Sequence, residues 1–313
     1  MYNSEIKEQF LSEYSANYGS VNGIIRSFFE KTEAVERLLS SDIAEMTKSE
    51  VISAINQSDF LEMSTAEVAL SVSKSYYSWC VHNNIFSSSG DGLFRVTLDD
   101  IDPSSYMSKA LFRDERDFLY SMRKVREFDG LYNEVVALVL SWLGLSISEI
   151  MSIHEDGVNF DERKVYARDG SILVPWFSDE FAEVLMLYKR TKSATRQNAT
   201  TVYEVIKDLS YDGFMKRVCS PNSDKLGTAL PARQISSAID RMNHQYADLG
   251  FDPRFSMRNA QRCGGLNRLF SLEQSGISVD DKKNAAVVEK TYGSKQYRRI
   301  RWQYKYYKKA FNL

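Results

Sequence analysis

The chain has 313 residues, 43% hydrophobic and 26% charged, with five prolines and fifteen glycines, which excludes collagen-like and linker-like chains and leaves room for two globular domains. Val135 to Leu145, its longest apolar stretch, is about half of the ~20 residues that a membrane span needs. The formal net charge of −2 hides an uneven distribution: residues 1–108 hold 7 basic and 16 acidic side chains, whereas Lys282 to Leu313 holds ten basic ones and a single acid, Glu289.

The first hundred residues read as helices. Ile6, Phe10, Leu11 and Tyr14 form a 3.6-residue stripe over Glu5 to Tyr18, and Phe28 to Leu39 repeats it more loosely. Thr47 and Glu50 form a capping box, as do Ser64 and Glu67, the latter opening a helix to about Asn84. Ser87 to Gly92 breaks the pattern, and Thr97 to Ser105, with Asp102-Pro103, reads as a linker. A helical domain over 1–105 is expected.

A second domain, 106–313, starts with helices over Lys109 to Arg126 and Tyr132 to Leu143. The second of these is too apolar to be exposed and is stopped by Gly144. Ser146 and Glu149 cap the next helix, to about His154, and two β-prone runs joined by Asp169-Gly170 predict a hairpin with a primed turn. Helices are expected over Ser178 to Arg190, Thr201 to Lys207, Tyr211 to Val218, Pro231 to Leu249, Arg258 to Glu273 and Lys282 to Lys290. The fold class is mainly α with a small β-hairpin or sheet.

Common catalytic constellations are missing from the sequence. There is no glycine-rich phosphate loop and no Gly-x-Ser-x-Gly elbow. His82, His154 and His244 lack metal-like spacing, and Cys80, Cys219 and Cys263 lie too far apart for a disulfide framework or a zinc site, so neither metal nor cofactor is expected. The polar, acidic start, Met1 to Phe10, has no signal-peptide or myristoylation pattern, and a soluble cytoplasmic protein without membrane contact is expected. The basic C-terminal segment suits a nucleic acid or an acidic partner.

The order of these features is informative. A buried helix, the Leu143-Gly144-Leu145-Ser146 turn, a capped helix and a hairpin precede Phe255-Ser256-Met257-Arg258, Tyr292-Gly293-Ser294 and a tyrosine-rich C-terminal segment. Over most of residues 109–313 this resembles the catalytic domain of the tyrosine recombinases, the phage integrase family, and 1–105 resembles their helical, SAM-like core-binding domain. More narrowly, the chain is similar to the recombinase-fold repressors that maintain lysogeny in SPβ-type temperate Bacillus phages.

The family resemblance implies a two-domain clamp around DNA and a tyrosine nucleophile, with two arginines, a hairpin lysine and two histidine-like positions stabilising a phosphorane-like transition state. Carried onto this sequence, Ser146 stands at the first arginine, Arg168 at the lysine, Phe255 at a histidine and Arg258 at the second arginine. Ser294 falls at the Leu-Gly-His histidine and Tyr304 at the nucleophile, with Tyr306 and Tyr307 close enough to leave its register open. Removing one transition-state donor typically costs ~10²–10³ in rate, and a clamp altered at this many positions implies a catalytically inactive domain.

For DNA contact the resemblance points to Lys74 and Tyr77, Arg168, Lys216 and Arg217, Arg233 and Gln234 after Pro231, and Arg254, Arg258 and Arg262. Three readings follow: a sequence-specific repressor on double-stranded operator DNA, cytoplasmic and nucleoid-associated in a bacterial host and maintaining a prophage; an active recombinase with a divergent site; or a protein whose basic C-terminal segment docks onto a second copy.

Overall fold

The computed structural model describes residues 1–18, 22–86, 92–197, 200–248 and 255–313. The chain divides into two compact units, Met1–Lys109 with Gln296–Leu313, and Ala110–Lys295. Among the described residues no helix is long and apolar enough to cross a membrane. The expected break over Ser87 to Gly92 falls largely on residues outside the described ones.

The first unit is helical: α1 (Ser4–Tyr18), α2 (Asn22–Leu39), α3 (Lys48–Asn56), α4 (Met63–His82), α5 (Gly92–Arg95) and α6 (Ser104–Ala110), the last ending at the unit boundary. The Thr47–Glu50 box caps α3 as expected, with Thr47 N–H donating to Glu50 Oε2 at 2.8 Å. Helix α4 begins before Ser64, with Glu62 at its N-cap, so Ser64 lies within the first turn and caps nothing. Phe10, Phe29 and Tyr76 pack edge to face at 5.0–6.2 Å and are buried at the centre, the ring geometry that aromatic quadrupoles favour.

Beside them Lys7 Nζ donates to Glu36 Oε2 at 2.7 Å, with Asp42 Oδ2 3.8 Å away, all three side chains fully buried. Burial pushes the Glu36 carboxyl above its usual range, Lys7 opposing it. Buried charge persists only when paired and hydrogen-bonded. Thr32 Oγ1 and the Ile43 N–H also donate to Glu36, and the Tyr76 hydroxyl, Asn3 Nδ2 and the Ala44 N–H donate to Asp42.

The second unit is built on α8 (Asn133–Trp142), whose residues from Glu134 to Trp142 are all buried; α7 (Glu115–Arg123) precedes it. The expected continuous helix over Lys109 to Arg126 is interrupted: Leu111 and Phe112 turn into the core, and Asp114 restarts the helix by accepting from Asp117 N–H. Gly144 ends α8 at φ +107°, where Leu145 N–H bonds Leu140 O and Gly144 N–H bonds Ser141 O. This is the glycine-dependent C-cap that a left-handed backbone requires.

Helix α9 (Ile147–Ser152) follows, and then the antiparallel sheet β1 (Val158–Asn159), β2 (Lys164–Tyr166), β3 (Ile172–Val174). The hairpin is present, but its turn is not primed. Gly170 N–H bonds Ala167 O and Ala167 N–H bonds Ser171 O, with only Gly170 at positive φ, so a three-residue loop carries Arg168 at its tip.

Helix α10 (Asp179–Arg190) forms where a helix is expected, and Ser178 caps it by accepting from Phe181 N–H. The expected helix over Thr201 to Lys207 is a strand. β5 (Val202–Lys207) pairs with β4 (Ser193–Gln197) and β6 (Val218–Cys219), because its β-branched and aromatic residues find a partner strand that local propensity cannot reveal. The expected helix over Tyr211 to Val218 is likewise absent, since Gly213 bridges His154, Phe214 N–H bonds Ile153 O and Val218 opens β6.

The unit closes with α11 (Ala232–Asp248), α12 (Met257–Gln274) and α13 (Ala285–Tyr292). Gly264 lets α12 lie against α8, since a Cβ there would run into the carbonyl of Trp142. The last helix, α14 (Tyr297–Phe311), packs in the first unit, although the sequence groups its basic segment with residues 106–295.

Candidate nucleic-acid interface

Helix α11 is amphipathic by construction. Ile235, Ala238, Ile239 and Met242 are buried at 3–4 residue spacing, which leaves Arg233, Gln234, Ser237 and Arg241 exposed on the other face. That face lines a groove of ≈ 800 Å³ within the second unit, walled opposite by β4 with Arg196 and by the chain from Arg126 to Glu134. Arg126 pairs with Glu134 and Arg196 with Asp129, each at 3.4 Å, and both guanidinium groups lie against the Tyr132 ring, at 5.1 and 4.3 Å. Their Nε atoms are buried without a hydrogen-bond partner. With those pairs formed, Arg233 and Arg241 supply the groove's outward positive charge. An exposed planar guanidinium suits phosphate or guanine, and Gln234 beside it has the amide geometry that reads adenine.

The other residues expected at DNA divide by exposure. Arg168, 76% exposed, meets Asp212 Oδ2 at 3.1 Å, and Asp212 also pairs with His154 at 2.8 Å. Arg258 is exposed and Lys74 half-buried. Four are turned inward instead. Tyr77 packs edge to face on Phe94 at 5.1 Å. Lys216 is buried, donating to Tyr211 O and pairing with Glu155 at 3.1 Å. Arg217 is buried with Nη2 on Ala229 O at 2.7 Å, and Arg262 is buried on α12. In each case the packing of the host element consumes a side chain that sequence alone leaves on the surface. Arg254 lies outside the described residues.

The clamp equivalents also have structural work. Ser146 is the N-cap of α9, donating to Glu149 Oε2 at 2.6 Å and accepting from Glu149 N–H. Phe255 is buried and stacks on Phe112 at 5.3 Å, while Asn243 brackets its backbone, accepting from its N–H and donating to its carbonyl. Ser294 follows the left-handed Gly293 at the end of α13, its N–H on Glu289 O at 3.1 Å. Arg268, the other arginine of α12 near this region, donates to Trp142 O at 2.8 Å and Thr291 O at 3.1 Å. In the first unit Tyr304 is 2% exposed, with Tyr306 and Tyr307 also buried.

Comparison with known proteins bears on the first unit. Residues 1–82 match the family described as "MrpR, N-terminal core-binding domain". The match ends with α4. No curated protein matches. Among solved structures, the Tn1549 transposon integrase in complex with a circular intermediate DNA is similar over 96% of this chain and 94% of its own, at 14% identity and a TM-score of 0.38, too distant to bear on function.

Sequence reasoning missed Arg126, Arg196 and Arg241, which join Arg233 and Gln234 at the groove. Arg196 sits on a strand whose partner reads locally as a helix, so no sequence signal brought it to α11. Arg241 was legible in principle, being two turns after Arg233 on the same face. The described residues include no group of three or more His, Cys, Asp or Glu side chains able to hold a metal.

Proposed function

We propose that the chain is a sequence-specific DNA-binding repressor, built as a core-binding unit followed by a recombinase-like unit that no longer cleaves DNA, and that it holds a prophage silent. The observation that carries the reading is the exposed Arg233–Gln234–Ser237–Arg241 face of α11, flanking a groove lined by further arginines. Arginine and glutamine side by side on a helix face are the residue types that read purines in a major groove. The core-binding match supports DNA as the partner.

Loss of cleavage is supported by the clamp positions. A neutral serine occupied in capping a helix cannot clamp a phosphorane, a phenylalanine in the core cannot donate to it, and a buried tyrosine cannot reach a phosphate. Electrostatic preorganisation is the main catalytic resource in phosphoryl transfer, and little of it is left. Repression and lysogeny follow from the likeness to recombinase-fold phage repressors.

The test is recovery of genomic fragments by the purified chain, divided into native and SDS-treated halves. Discrete fragments held natively and released by SDS are expected. Fragments that survive SDS would mean a covalent phosphotyrosine bond and an active enzyme; no enrichment in either half would refute DNA binding altogether.

A further inference from the structure

Residues 1–109 hold 8 basic and 16 acidic side chains. A unit so negative is repelled by duplex phosphates, which carry one charge per ~1.7 Å of helix axis. Helix α14 alters that balance, bringing six basic residues and no acidic one to the first unit.

The way α14 is held decides where that charge goes. Ile300, Gln303, Tyr304 and Tyr307 face inward, Gln303 Nε2 donates to Leu61 O at 2.6 Å, and Trp302 packs on the helical core. Arg299 pairs with Glu62 and Arg298 with Glu67, each at 3.2 Å, and Lys309 pairs with Asp102. These pairs occupy three of the unit's acids. Arg301 and Lys305 are exposed, held over the Tyr297 and Tyr306 rings at 5.6 and 5.1 Å, and with Arg298, whose side chain is 78% exposed, and the half-buried Lys308 they recur at 3–4 residue spacing. Such spacing forms one stripe along the helix, about 15 Å long at 1.5 Å per residue.

We infer that this stripe is the DNA-backbone contact of the first unit, with Arg301 and Lys305 at its centre binding duplex phosphates. The inference rests on the DNA-binding reading above and assigns the first unit's share of it. A protein partner fits less well. Protein interfaces centre on desolvated aromatic and arginine anchors set in pockets, whereas Tyr304, Tyr306 and Tyr307 of α14 are buried, Tyr297 is half-buried beneath Arg301, and the outward centre offers a line of cations in the open. A line of charge without anchors matches a phosphate backbone, which is bound by charge and without regard to sequence.

The experiment uses the full chain, a mixed-sequence duplex of roughly 40 bp and a fragment recovered natively from the genome, with affinity followed from about 50 to 200 mM salt. Arg301→Gln/Lys305→Gln is compared with Arg190→Gln/Lys225→Gln, which removes the same charge from exposed positions of the second unit that lie neither at the groove nor in the basic C-terminal segment. Removing two cations that each neutralise a phosphate should reduce the log–log salt slope by about 2 and weaken binding roughly tenfold near physiological salt, equally on both duplexes.

Thermal melts should match the parent, since both positions are exposed; the control pair should keep the parent slope. Parent-like binding by Arg301→Gln/Lys305→Gln would overturn the inference, as would an equal loss in the control pair. Loss of self-association with intact DNA binding would also overturn it, making α14 a protein-docking face. Failure of the unmodified chain to bind either duplex would refute the DNA-binding reading itself.

Discussion

Replacing Gly264 with alanine should destabilise the second unit even though alanine is the better helix former. A Cβ at this position would overlap Trp142 O and lie 2.8 Å from its carbonyl carbon. Non-bonded contacts to carbon settle near ~3.5 Å, so α12 would have to retreat from α8 by roughly 1 Å or more to clear the oxygen. Overpacking of this kind costs ~1–3 kcal/mol. The same carbonyl accepts Arg268 Nη1 at 2.8 Å, and hydrogen bonds to charged groups are worth about 1.5–3 kcal/mol. Helix propensity returns ~1 kcal/mol. The net expectation is a loss of about 2–4 kcal/mol, or a melting temperature lower by roughly 5–15 °C for a unit of this size. Urea titration followed by circular dichroism should show a lower midpoint at unchanged slope. Gly23→Ala makes the opposite case: a Cβ there meets nothing within 4 Å, so the same substitution should be neutral or stabilise by up to ~1 kcal/mol. An unchanged or raised midpoint for Gly264→Ala would refute the close-approach argument.

Three further outcomes are expected. Burial and the nearby Lys216 charge bring the Lys207 ammonium down to about 7, Asp129 opposing. Between that value and the ordinary lysine range the unfolded chain binds the extra proton, so stability should rise as pH increases from 7 towards 10; Lys207→Met should flatten this part of the profile, and an unaltered slope in the variant would dismiss the assignment. Phe255→His restores the residue type expected from the recombinase resemblance at a buried stacked position. It should lower stability by about 1–3 kcal/mol, because an imidazole there is desolvated without a designed partner, and denaturant titration showing no loss would argue against a core role. Ser146→Arg removes the α9 cap at a cost of ~0.5–2 kcal/mol and should yield no SDS-resistant DNA adduct; a covalent product would mean that the catalytic machinery is otherwise intact.

Features encoded locally were legible. The Thr47–Glu50 and Ser146–Glu149 boxes, the Gly144 stop and the apolar run of α8 are each specified within a few residues, and each appears where local chemistry puts it. Features that depend on distant partners were not. β5 carries Val202, Tyr203, Val205 and Ile206, a spacing that a short helix also tolerates, and only pairing with β4 decides it. The interface divided in the same way: Arg233 and Gln234 are exposed because they begin a helix whose apolar face is evident, whereas Lys216 and Arg217 are buried by loops that fold over them. Tyr77 was misjudged because the pairing of α4 with Phe94 is invisible from the α4 sequence.

The hydrogen bond from Gln303 to Leu61 joins positions 242 residues apart and closes a unit interrupted by the whole of Ala110–Lys295. On the ribosome, the first 109 residues emerge long before the helix that neutralises and covers them. At ~5–20 residues per second the interval is roughly 10–40 s, far longer than the collapse of a chain of this size. The nascent first unit therefore spends that time with the surface that receives Ile300, Trp302 and Tyr304 uncovered. Its acidity is useful in that interval: like charges on neighbouring nascent chains repel, keeping an unfinished apolar face from finding another copy before its own last helix arrives.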